Sequence, residues 1–279
     1  MSNARNTKIE NNPGAYKKYI PPSWKNVAYR AKRNIQERHW RGLLNGFVTD
    51  LLNKIFFMPL MANHLPSRFR CVCCGTSAAS FVHLSNERGI SWYSACPACD
   101  SRSRHRGLAV LLPEILKDKP EGYRLLHFAP EPVLKPVFQT LPNIKYQTAD
   151  FYLKDVDFPD ADLRCLPFPG GSFDAVLCNH VLEHIDRDDL AVAELARILK
   201  PEGLVVVTIP GDWQNEKTVS FPGLSQNGHY RHYGRDVLDL FRVHFSKVEM
   251  EDLHRFDSSE DGHSHAIHKK DFAFICRKK

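Results

Sequence analysis

Four cysteines stand in two C-x2-C pairs with the spacing of metal ligands. Cys71 and Cys74 form the first pair, Cys96 and Cys99 form the second, and 21 residues separate the pairs. Two such pairs supply four thiolates, which is the ligand set of a tetrahedral structural zinc site. We therefore predict a zinc ribbon held by these four cysteines. A pair of disulfides is the alternative, and a reducing compartment disfavours it.

The residues around the two pairs fit the same interpretation. Residues 81–93 can form a short hairpin between the cysteine pairs. Cys73 is a surplus thiol that we leave outside the ligand set. His83 is a possible substitute ligand, which we expect instead to lie on the surface of the ribbon.

A second set of polar residues follows apolar runs further along the chain. Asp150 follows residues 145–149, and His180 and His184 follow Phe173–Cys178. Because ligands bind outside the carboxyl ends of parallel strands, we expect these side chains to share a site. A strand-end carboxylate can accept both hydroxyls of a ribose. A histidine can deprotonate a hydroxyl or an imidazole, so His180 is our first candidate base and His184 the second. Alternatively, both only shape a pocket that acts by proximity.

The elements that must position these residues follow from the apolar pattern. Phe173–Cys178 leaves no room for a polar face and predicts a strand that is buried on both sides. Residues 188–199 have helical spacing, residues 200–203 end that helix, and residues 204–209 form the next buried strand. Strand, helix and strand in so few residues indicate a right-handed crossover and a parallel sheet.

The chain from about Tyr123 onward resembles class I S-adenosylmethionine (SAM)-dependent methyltransferases of the methyltransferase type 11 kind. The motifs that carry the resemblance are Asp162, Leu166-Pro167-Phe168, Ser172-Phe173-Asp174, His180-Val181-Leu182-Glu183-His184 and Leu199-Lys200-Pro201-Glu202-Gly203. The resemblance implies an α/β fold, a Rossmann-like seven-stranded methyltransferase sheet with an antiparallel C-terminal hairpin, and SAM as cofactor. The alternative is a doubly wound domain with another ligand.

The resemblance also implies the residues that contact the cofactor. They are His127, Ala129, Glu131, Asp150, Asp162, Leu163 and Asn179. In the loop from His127 to Glu131 the glycines of the family are missing. Ala129 keeps a small side chain there, and Glu131 can receive the ammonium group of SAM. Asp150 is expected at the ribose, Asp162 and Leu163 at the adenine, and Asn179 near the sulfonium.

Two clusters of basic and aromatic residues resemble variants within the same group. Residues 101–106 (SRSRHR) follow the ribbon and are expected either to face an anionic group or to form an ordinary basic surface. His229, Arg231 and Tyr233 lie in a stretch similar to HxRxYGRD and are expected to bind the methyl acceptor. The three histidines of residues 262–268 are expected in an exposed loop of the closing hairpin rather than at a metal.

Charge is distributed unevenly along the 279 residues. The net charge is +6, yet residues 1–70 hold thirteen Lys/Arg against three Asp/Glu, a net +10, so the remainder carries −4. The basic charge therefore belongs to the N-terminal arm, which weakens an argument for nucleic acid as the partner of the whole protein. In that arm Trp40, Leu44, Val48, Leu51 and Ile55 fall close to one helical stripe.

We predict three parts: a basic helical arm at 1–66, the zinc ribbon at 67–103, and a SAM-dependent methyltransferase domain at 104–279. The arm can pack on the domain, contact a second subunit in a homodimer, or lie on a membrane surface. The first twenty residues lack an apolar signal segment, and the longest apolar region, residues 43–65, is broken by Asp50 and Lys54. We therefore expect a cytoplasmic protein without a transmembrane segment.

The predicted reaction is methyl transfer to an oxygen or nitrogen of a small-molecule or glycan-like acceptor. One alternative is a zinc-ribbon methyltransferase that binds RNA, with salt-dependent affinity as its signature. A second alternative is a non-catalytic SAM-binding protein, which the missing glycines permit. The sequence does not identify the acceptor.

Overall fold

A computed structural model describes residues 44–53, 66–86, 89–223, 228–258 and 261–279. The chain divides into two compact units, one within residues 1–69 and 76–100 and the other within residues 70–75 and 101–279. Most of the predicted N-terminal arm lies outside the described residues.

The first unit contains a helical segment at residues 44–53 and short strands. The strands are β1 Phe69–Arg70, β2 Ser77–Ala78, β3 Val82–Asn86 and β4 Gly89–Ala95. Strands β1 and β2 form a two-stranded sheet, and β3 pairs with β4 in the antiparallel hairpin that the sequence predicts.

His83 lies inside this unit and not on its surface as predicted. His83 is 3% exposed, and its Nδ1 accepts a hydrogen bond from the Tyr93 N–H at 3.0 Å. The Asn53 side chain brackets the His83 backbone, because Nδ2 donates to the carbonyl and Oδ1 accepts from the N–H, both at 2.9 Å. His83 therefore joins the 44–53 helix to the hairpin.

The helix at 44–53 does not bury the predicted stripe. Leu44 and Leu51 are exposed, as is Phe47, while Thr49 and Asn53 are buried. The hydrogen bonds between the Asn53 side chain and the His83 backbone turn the polar face of this helix toward the hairpin. A pattern of apolar residues cannot indicate such a contact. Trp40 and Ile55 lie outside the described residues.

The second unit is an α/β domain. Its strands are β5 Tyr123–Phe128, β6 Ile144–Ala149, β7 Phe173–Asn179, β8 Leu199–Thr208, β9 Val219–Ser220, β10 Arg231–His232, β11 Lys247–Asp252 and β12 Phe272–Arg277. Its helices are α1 Ser103–Leu116, α2 Lys135–Gln139, α3 Asp188–Ile198 and α4 Val237–Arg242. Two 3₁₀ turns cover Leu182–His184 and Leu253–Phe256.

The central sheet has the order β11-β12-β8-β7-β5-β6. Strands β8, β7, β5 and β6 run parallel, and β12 and β11 close the sheet as the predicted antiparallel hairpin. Order reverses between β5 and β7, because β6 lies on one side of β5 and β7 and β8 on the other. A ligand crevice is expected at the carboxyl ends of strands at such a reversal. This mostly parallel sheet has the Rossmann-like arrangement predicted.

Six strands form this sheet in the described part of the chain, one fewer than predicted. The segment after β6 makes only an isolated parallel bridge between Phe158 and Ala149, with the Phe158 N–H donating to the Thr148 carbonyl at 3.0 Å. Pro159 follows directly, and a proline cannot donate to a strand ladder. The edge strand therefore stops after one pair.

Helices cover both faces of the sheet, because the strands are apolar on both sides. On β7, Val176 and Cys178 join the hydrophobic cluster that includes residues of α3, while Ala175 and Leu177 join the cluster that includes residues of α1. All four are completely buried. The carboxyl end of β7 is thus held rigidly between two packed layers. No helix in the described ranges combines the length and apolar content needed to cross a bilayer.

The middle of the loop before β12 is buried where we predicted an exposed segment, while Gly262 is exposed and His263 and His268 are half-buried. His265, Ala266 and Ile267 are 9%, 6% and 3% exposed. Arg106 of α1 accounts for this, since its Nε donates to the His265 carbonyl at 2.6 Å and its Nη2 to the Ala266 carbonyl at 2.7 Å. Arg106 itself is 0% exposed, so this arginine of the SRSRHR segment belongs neither to a basic surface nor to a ligand contact.

Candidate functional site

A cavity of about 600 Å³ lies at the carboxyl ends of β5, β6 and β7. The predicted site residues that line it are Ala129, Asp150, Asp162, Leu163, His180 and His184. The remaining lining residues are Phe128, Phe151, Tyr152, Ala161, Arg164, Val181, Ile185, Asp186, Gly228 and Tyr230. The structure thus brings together residues from widely separated parts of the sequence.

Asp150 is fixed at the end of β6 by the turn that follows it. Its Oδ1 accepts backbone hydrogen bonds from Tyr152 at 2.6 Å and from Leu153 at 2.7 Å. The residue is 8% exposed. The same turn places Phe151 and Tyr152 in the cavity wall, and sequence reasoning missed both. Two aromatic residues directly after a strand-end acid were the available signal.

Asp162 is paired with an arginine that sequence reasoning also missed. Arg164 donates to Asp162 from Nη2 to Oδ2 at 2.8 Å and from Nε to Oδ1 at 3.0 Å, and Nη1 reaches Asp186 at 2.9 Å. The hydrogen bonds from Arg164 lower the pKa of Asp162. The carboxylate is therefore charged and presented at the cavity, and a ligand amine there has to share it with Arg164.

Two residues at the crevice have left-handed backbone conformations. Ala129 follows β5 with φ of 50°, and His180 follows β7 with φ of 54°. This region favours glycine, and a larger side chain there costs conformational energy. Ala129 thus adopts the turn without the missing glycine. The His180 N–H donates to the Thr208 carbonyl at 2.8 Å, which ties it to the end of β8.

Glu131, which we predicted to receive a ligand amine, is already paired with side chains of this protein. His127 Nε2 lies 3.0 Å and His105 Nε2 lies 3.4 Å from its carboxylate, and the Asn179 side chain also donates to it. His127 is completely buried, and its Nδ1 lies 2.9 Å from the Tyr146 hydroxyl. His127, Glu131 and Asn179 therefore form a buried network that is not part of the cavity lining.

The charges in this network are set by burial and by the facing imidazoles. Burial alone would raise the pKa of Glu131, but His105 and His127 outweigh it and hold that pKa at about 2. Burial lowers the pKa of His105 to about 4. At neutral pH the network thus combines a carboxylate with a neutral His105, and it supports the turn after β5.

His180 faces a buried acid. Its Nδ1 lies 3.2 Å from Oε1 of Glu183, whose side chain has no exposure to solvent. Burial, and next the nearby Arg104 guanidinium, lower the pKa of His180, so the ring is neutral at pH 7. A carboxylate beside Nδ1 favours the Nδ1–H tautomer and leaves Nε2 as a proton acceptor. This is the arrangement of a base held by a third group.

His184 lies at the rim of the same cavity. Its Nδ1 lies 2.9 Å from the Gly228 carbonyl, and its ring packs edge-on against His229 with centroids 4.8 Å apart. Gly228 and Tyr230 line the cavity, and the Tyr230 N–H donates to the Glu183 carbonyl at 2.8 Å. The 228–230 segment is therefore attached to the turn after β7.

Arg231 and Tyr233 point into the protein and do not line the cavity. Arg231 donates to the Ile185 carbonyl at 2.7 Å and forms an ion pair with Asp188 at 3.1 Å. The Tyr233 hydroxyl donates to the same Asp188 carboxylate at 2.9 Å. Both residues are buried and use their polar groups internally. They hold the loop that carries His229.

The two cysteine pairs adopt similar tight turns. The Gly75 N–H donates to the Cys71 carbonyl at 2.7 Å and the Asp100 N–H to the Cys96 carbonyl at 3.0 Å. Gly75 and Asp100 both have positive φ, 75° and 58°. The four predicted ligand residues are Cys71, Cys74, Cys96 and Cys99, and their sulfur atoms all lie within 4.8 Å of one another. Four thiols in this arrangement fit a tetrahedral zinc ion.

The part of the chain that matches known proteins includes several residues of the cavity wall. Residues 135–207 match the family model described as "Methyltransferase domain". The demethylmenaquinone methyltransferase of Renibacterium salmoninarum is 42% identical over 53 residues, which cover 19% of this chain and 22% of that protein. An uncharacterized 37.1 kDa protein in transposon TN4556 of Streptomyces fradiae is 34% identical over 87 residues, covering 31% of this chain and 24% of that protein.

The chain thus spans only about a quarter of the length of these curated relatives. Among solved structures, the 1,6-didemethyltoxoflavin-N1-methyltransferase of Burkholderia thailandensis has a TM-score of 0.47 and 15% identity, covering 63% of this chain and 78% of that chain. Residues 135–207 therefore carry a methyltransferase-domain sequence, and this segment includes Asp150, Asp162 and His180.

Proposed function

We propose that this protein is a SAM-dependent methyltransferase that transfers a methyl group to an oxygen or nitrogen of a small-molecule or glycan-like acceptor. The observation that carries the proposal is the cavity at the ends of β5, β6 and β7, with Asp150, Asp162 and His180 in its wall. All three lie inside the segment that matches the methyltransferase domain. SAM would supply an electrophilic methyl group on a sulfonium.

In this proposal the chain's own residues bind and orient the two reactants. The Asp150 carboxylate accepts the ribose hydroxyls, and Asp162 with Leu163 contacts the adenine. Ala129 allows the backbone after β5 to approach the ligand closely, and Glu131, with its carboxylate already paired, supports that turn from behind. His180 accepts the proton of the acceptor through Nε2, and the cavity wall excludes water.

Of the three residues predicted to bind the acceptor, His229, Arg231 and Tyr233, we keep only His229. Its neighbours Gly228 and Tyr230 line the cavity, while Arg231 and Tyr233 are engaged with Asp188. Since these two anchor the loop, their substitution is expected to disturb His229 indirectly. A cavity of about 600 Å³ suits a small acceptor or one sugar unit of a glycan.

The cofactor assignment predicts that Asp150→Asn weakens SAM binding. Asparagine keeps an oxygen for the turn N–H groups of Tyr152 and Leu153 but removes the charge that accepts the ribose hydroxyls. We expect a loss of roughly 1–3 kcal/mol in binding free energy. Isothermal calorimetry with SAM measures it, and Asp155→Ala, an exposed acid in the following loop, is the control.

Unchanged affinity in both Asp150→Asn and Asp162→Ala would mean that SAM does not bind in this cavity. Turnover is tested separately, by incubating the protein with labelled SAM and a fractionated metabolite extract and reading methylated products by mass spectrometry. Tight SAM binding with no product from any fraction would favour a non-catalytic SAM-binding protein.

We further propose that the four clustered cysteines hold a structural zinc ion. Elemental analysis of the purified protein is expected to find about one zinc per chain, since four thiolates complete a tetrahedral site. Cys96→Ser should lose the metal and destabilise the ribbon, because metal binding contributes to folding. Cys165→Ser, an exposed thiol outside the cluster, is the control. Full zinc retention in a Cys71→Ser/Cys96→Ser double variant would contradict the assignment.

A zinc-thiolate site requires thiols that are kept reduced, so we propose the cytoplasm as the compartment. The three-part division into an arm at 1–66, a ribbon at 67–103 and a catalytic domain at 104–279 remains a proposal.

A further inference from the structure

Glu183 is a buried acid whose carboxylate has few polar partners. Its side chain is fully shielded from solvent, and among the described residues His180 Nδ1, 3.2 Å from Oε1, is the one side-chain donor within hydrogen-bonding distance. A second imidazole nitrogen, His184 Nε2, lies 3.9 Å from the same oxygen. Burying a carboxylate costs free energy unless a cation or several donors compensate it.

A third polar residue reaches the same point from a different segment. Glu183, His184 and His229 each offer one ligand atom, and these atoms lie within 4.8 Å of one another. Glu183 and His184 come from the turn after β7, and His229 comes from the segment that precedes β10. Two imidazoles and one carboxylate form a donor set that borderline transition metals prefer.

The geometry allows a modest closure around an ion. Bonds of about 2.0–2.2 Å from one ion to nitrogen and oxygen require the three donor atoms to approach to roughly 3–4 Å. The His184 side chain is 46% exposed, so its ring has room to rotate. Glu183 has two oxygens, and one of them can face His180 while the carboxylate also binds an ion.

We propose that Glu183, His184 and His229 form a binding site for one divalent transition-metal ion at the rim of the cavity. Three protein ligands leave coordination positions open, and His184 lines the cavity itself. An ion there would bind an oxygen of the acceptor and favour its deprotonation. That role rests on the proposed function, whereas the metal site itself does not.

The site would also fix the segment at residues 228–230, of which Gly228 and Tyr230 line the cavity. Within this region the Tyr230 N–H already donates to the Glu183 carbonyl, and the Phe221 N–H donates to the Tyr230 carbonyl at 2.8 Å each. A metal bond between His229 and the turn after β7 would add a side-chain link beside these backbone bonds. An acceptor that offers two adjacent oxygens is the class best suited to the open positions.

Metal titration of the full-length protein tests the proposal. Protein purified with its cysteine site loaded with zinc is titrated with Co²⁺, followed by calorimetry and by visible absorption. We expect one additional equivalent, with ligand-field bands of nitrogen and oxygen ligation and without the intense thiolate-to-cobalt charge transfer of a cysteine site. Such absorption distinguishes this ion from exchange at the four cysteines.

His184→Ala and His229→Ala are each expected to weaken Co²⁺ binding at the additional site by roughly 10-fold or more. Loss of an outer-shell partner typically costs about 10–100-fold in metal affinity, and loss of a direct ligand should cost at least as much. The double variant should lose the site. His244→Ala, an exposed histidine on α4's C-terminal side, is the matched control and should bind as wild type. Thermal melting of each variant verifies that it is folded.

Absence of an additional equivalent in the wild-type protein overturns the proposal, and so does equal Co²⁺ affinity in the wild type and the His184→Ala/His229→Ala variant. SAM calorimetry on the same samples separates the two hypotheses. A protein that binds Co²⁺ at this site but not SAM would retain the metal site and refute the proposed function. A protein that binds SAM but takes up no additional Co²⁺ would refute the metal site and leave the proposed function standing.

Discussion

His180→Ala is expected to lower kcat by about 10²–10⁴-fold, the usual contribution of a positioned general base. The ring follows β7 at the cavity, its Nδ1 faces the buried Glu183 carboxylate at 3.2 Å, and burial keeps it neutral. Alanine removes the proton acceptor while leaving the residues assigned to the cofactor in place. SAM affinity measured by calorimetry should therefore remain close to that of the wild type.

Two measurements separate a base from a residue that only shapes the pocket. Added imidazole should partly restore kcat in His180→Ala, because a small base can diffuse into the space that the side chain leaves. A loss of packing alone would raise KM and would not respond to imidazole. If His180→Ala turns over like the wild type, the base assignment is wrong, and His184 or simple proximity takes its place.

The central sheet was predictable because its strands are buried on both faces. A run such as Phe173–Cys178 has no polar alternation, and the structure extends it by a single residue to Asn179. The strand that ends before Asp150 begins one residue earlier than predicted. Where a buried strand ends, the next polar residue reaches the crevice, and this explains why Asp150 and His180 could be located from the sequence.

Polar residues outside the central sheet were less predictable, since their partners come from distant positions in the sequence. Arg231 pairs with Asp188, and Glu131 is held by His127 on one side and Asn179 on the other. A motif indicates that such a polar side chain has a specific binding partner. It does not indicate whether that partner is a ligand or another residue of the chain. Only the three-dimensional structure distinguishes the two cases.

The cysteine turns represent the opposite case, because their geometry is local. A C-x2-C pair encodes its own turn, and the left-handed residues Gly75 and Asp100 follow the two pairs at equivalent positions. Spacing was therefore sufficient to predict that the four cysteines lie together. The missing seventh strand had a local signal as well, since Pro159 stands where the ladder would continue.

Arg106→Ala is expected to destabilise the second unit by roughly 3–5 kcal/mol, the lower end of about 1–3 kcal/mol for each of three buried carbonyls that lose a donor. The Arg106 side chain is fully buried and donates to the backbone carbonyls of Ser101, His265 and Ala266. These carbonyls cannot turn toward water without unpacking the loop before β12. Alanine therefore leaves them without donors and creates a cavity under α1.

The midpoint of thermal unfolding should fall by roughly 6–20 °C, given about 2–4 °C per kcal/mol for a domain of this size. Lys117→Ala, an exposed basic residue at the end of the same helix, should change it little. Arg106→Met fills most of the volume but supplies no donors. If Arg106→Met melts like the wild type, packing and not carbonyl pairing holds the loop; if it melts like Arg106→Ala, the hydrogen bonds account for the stability.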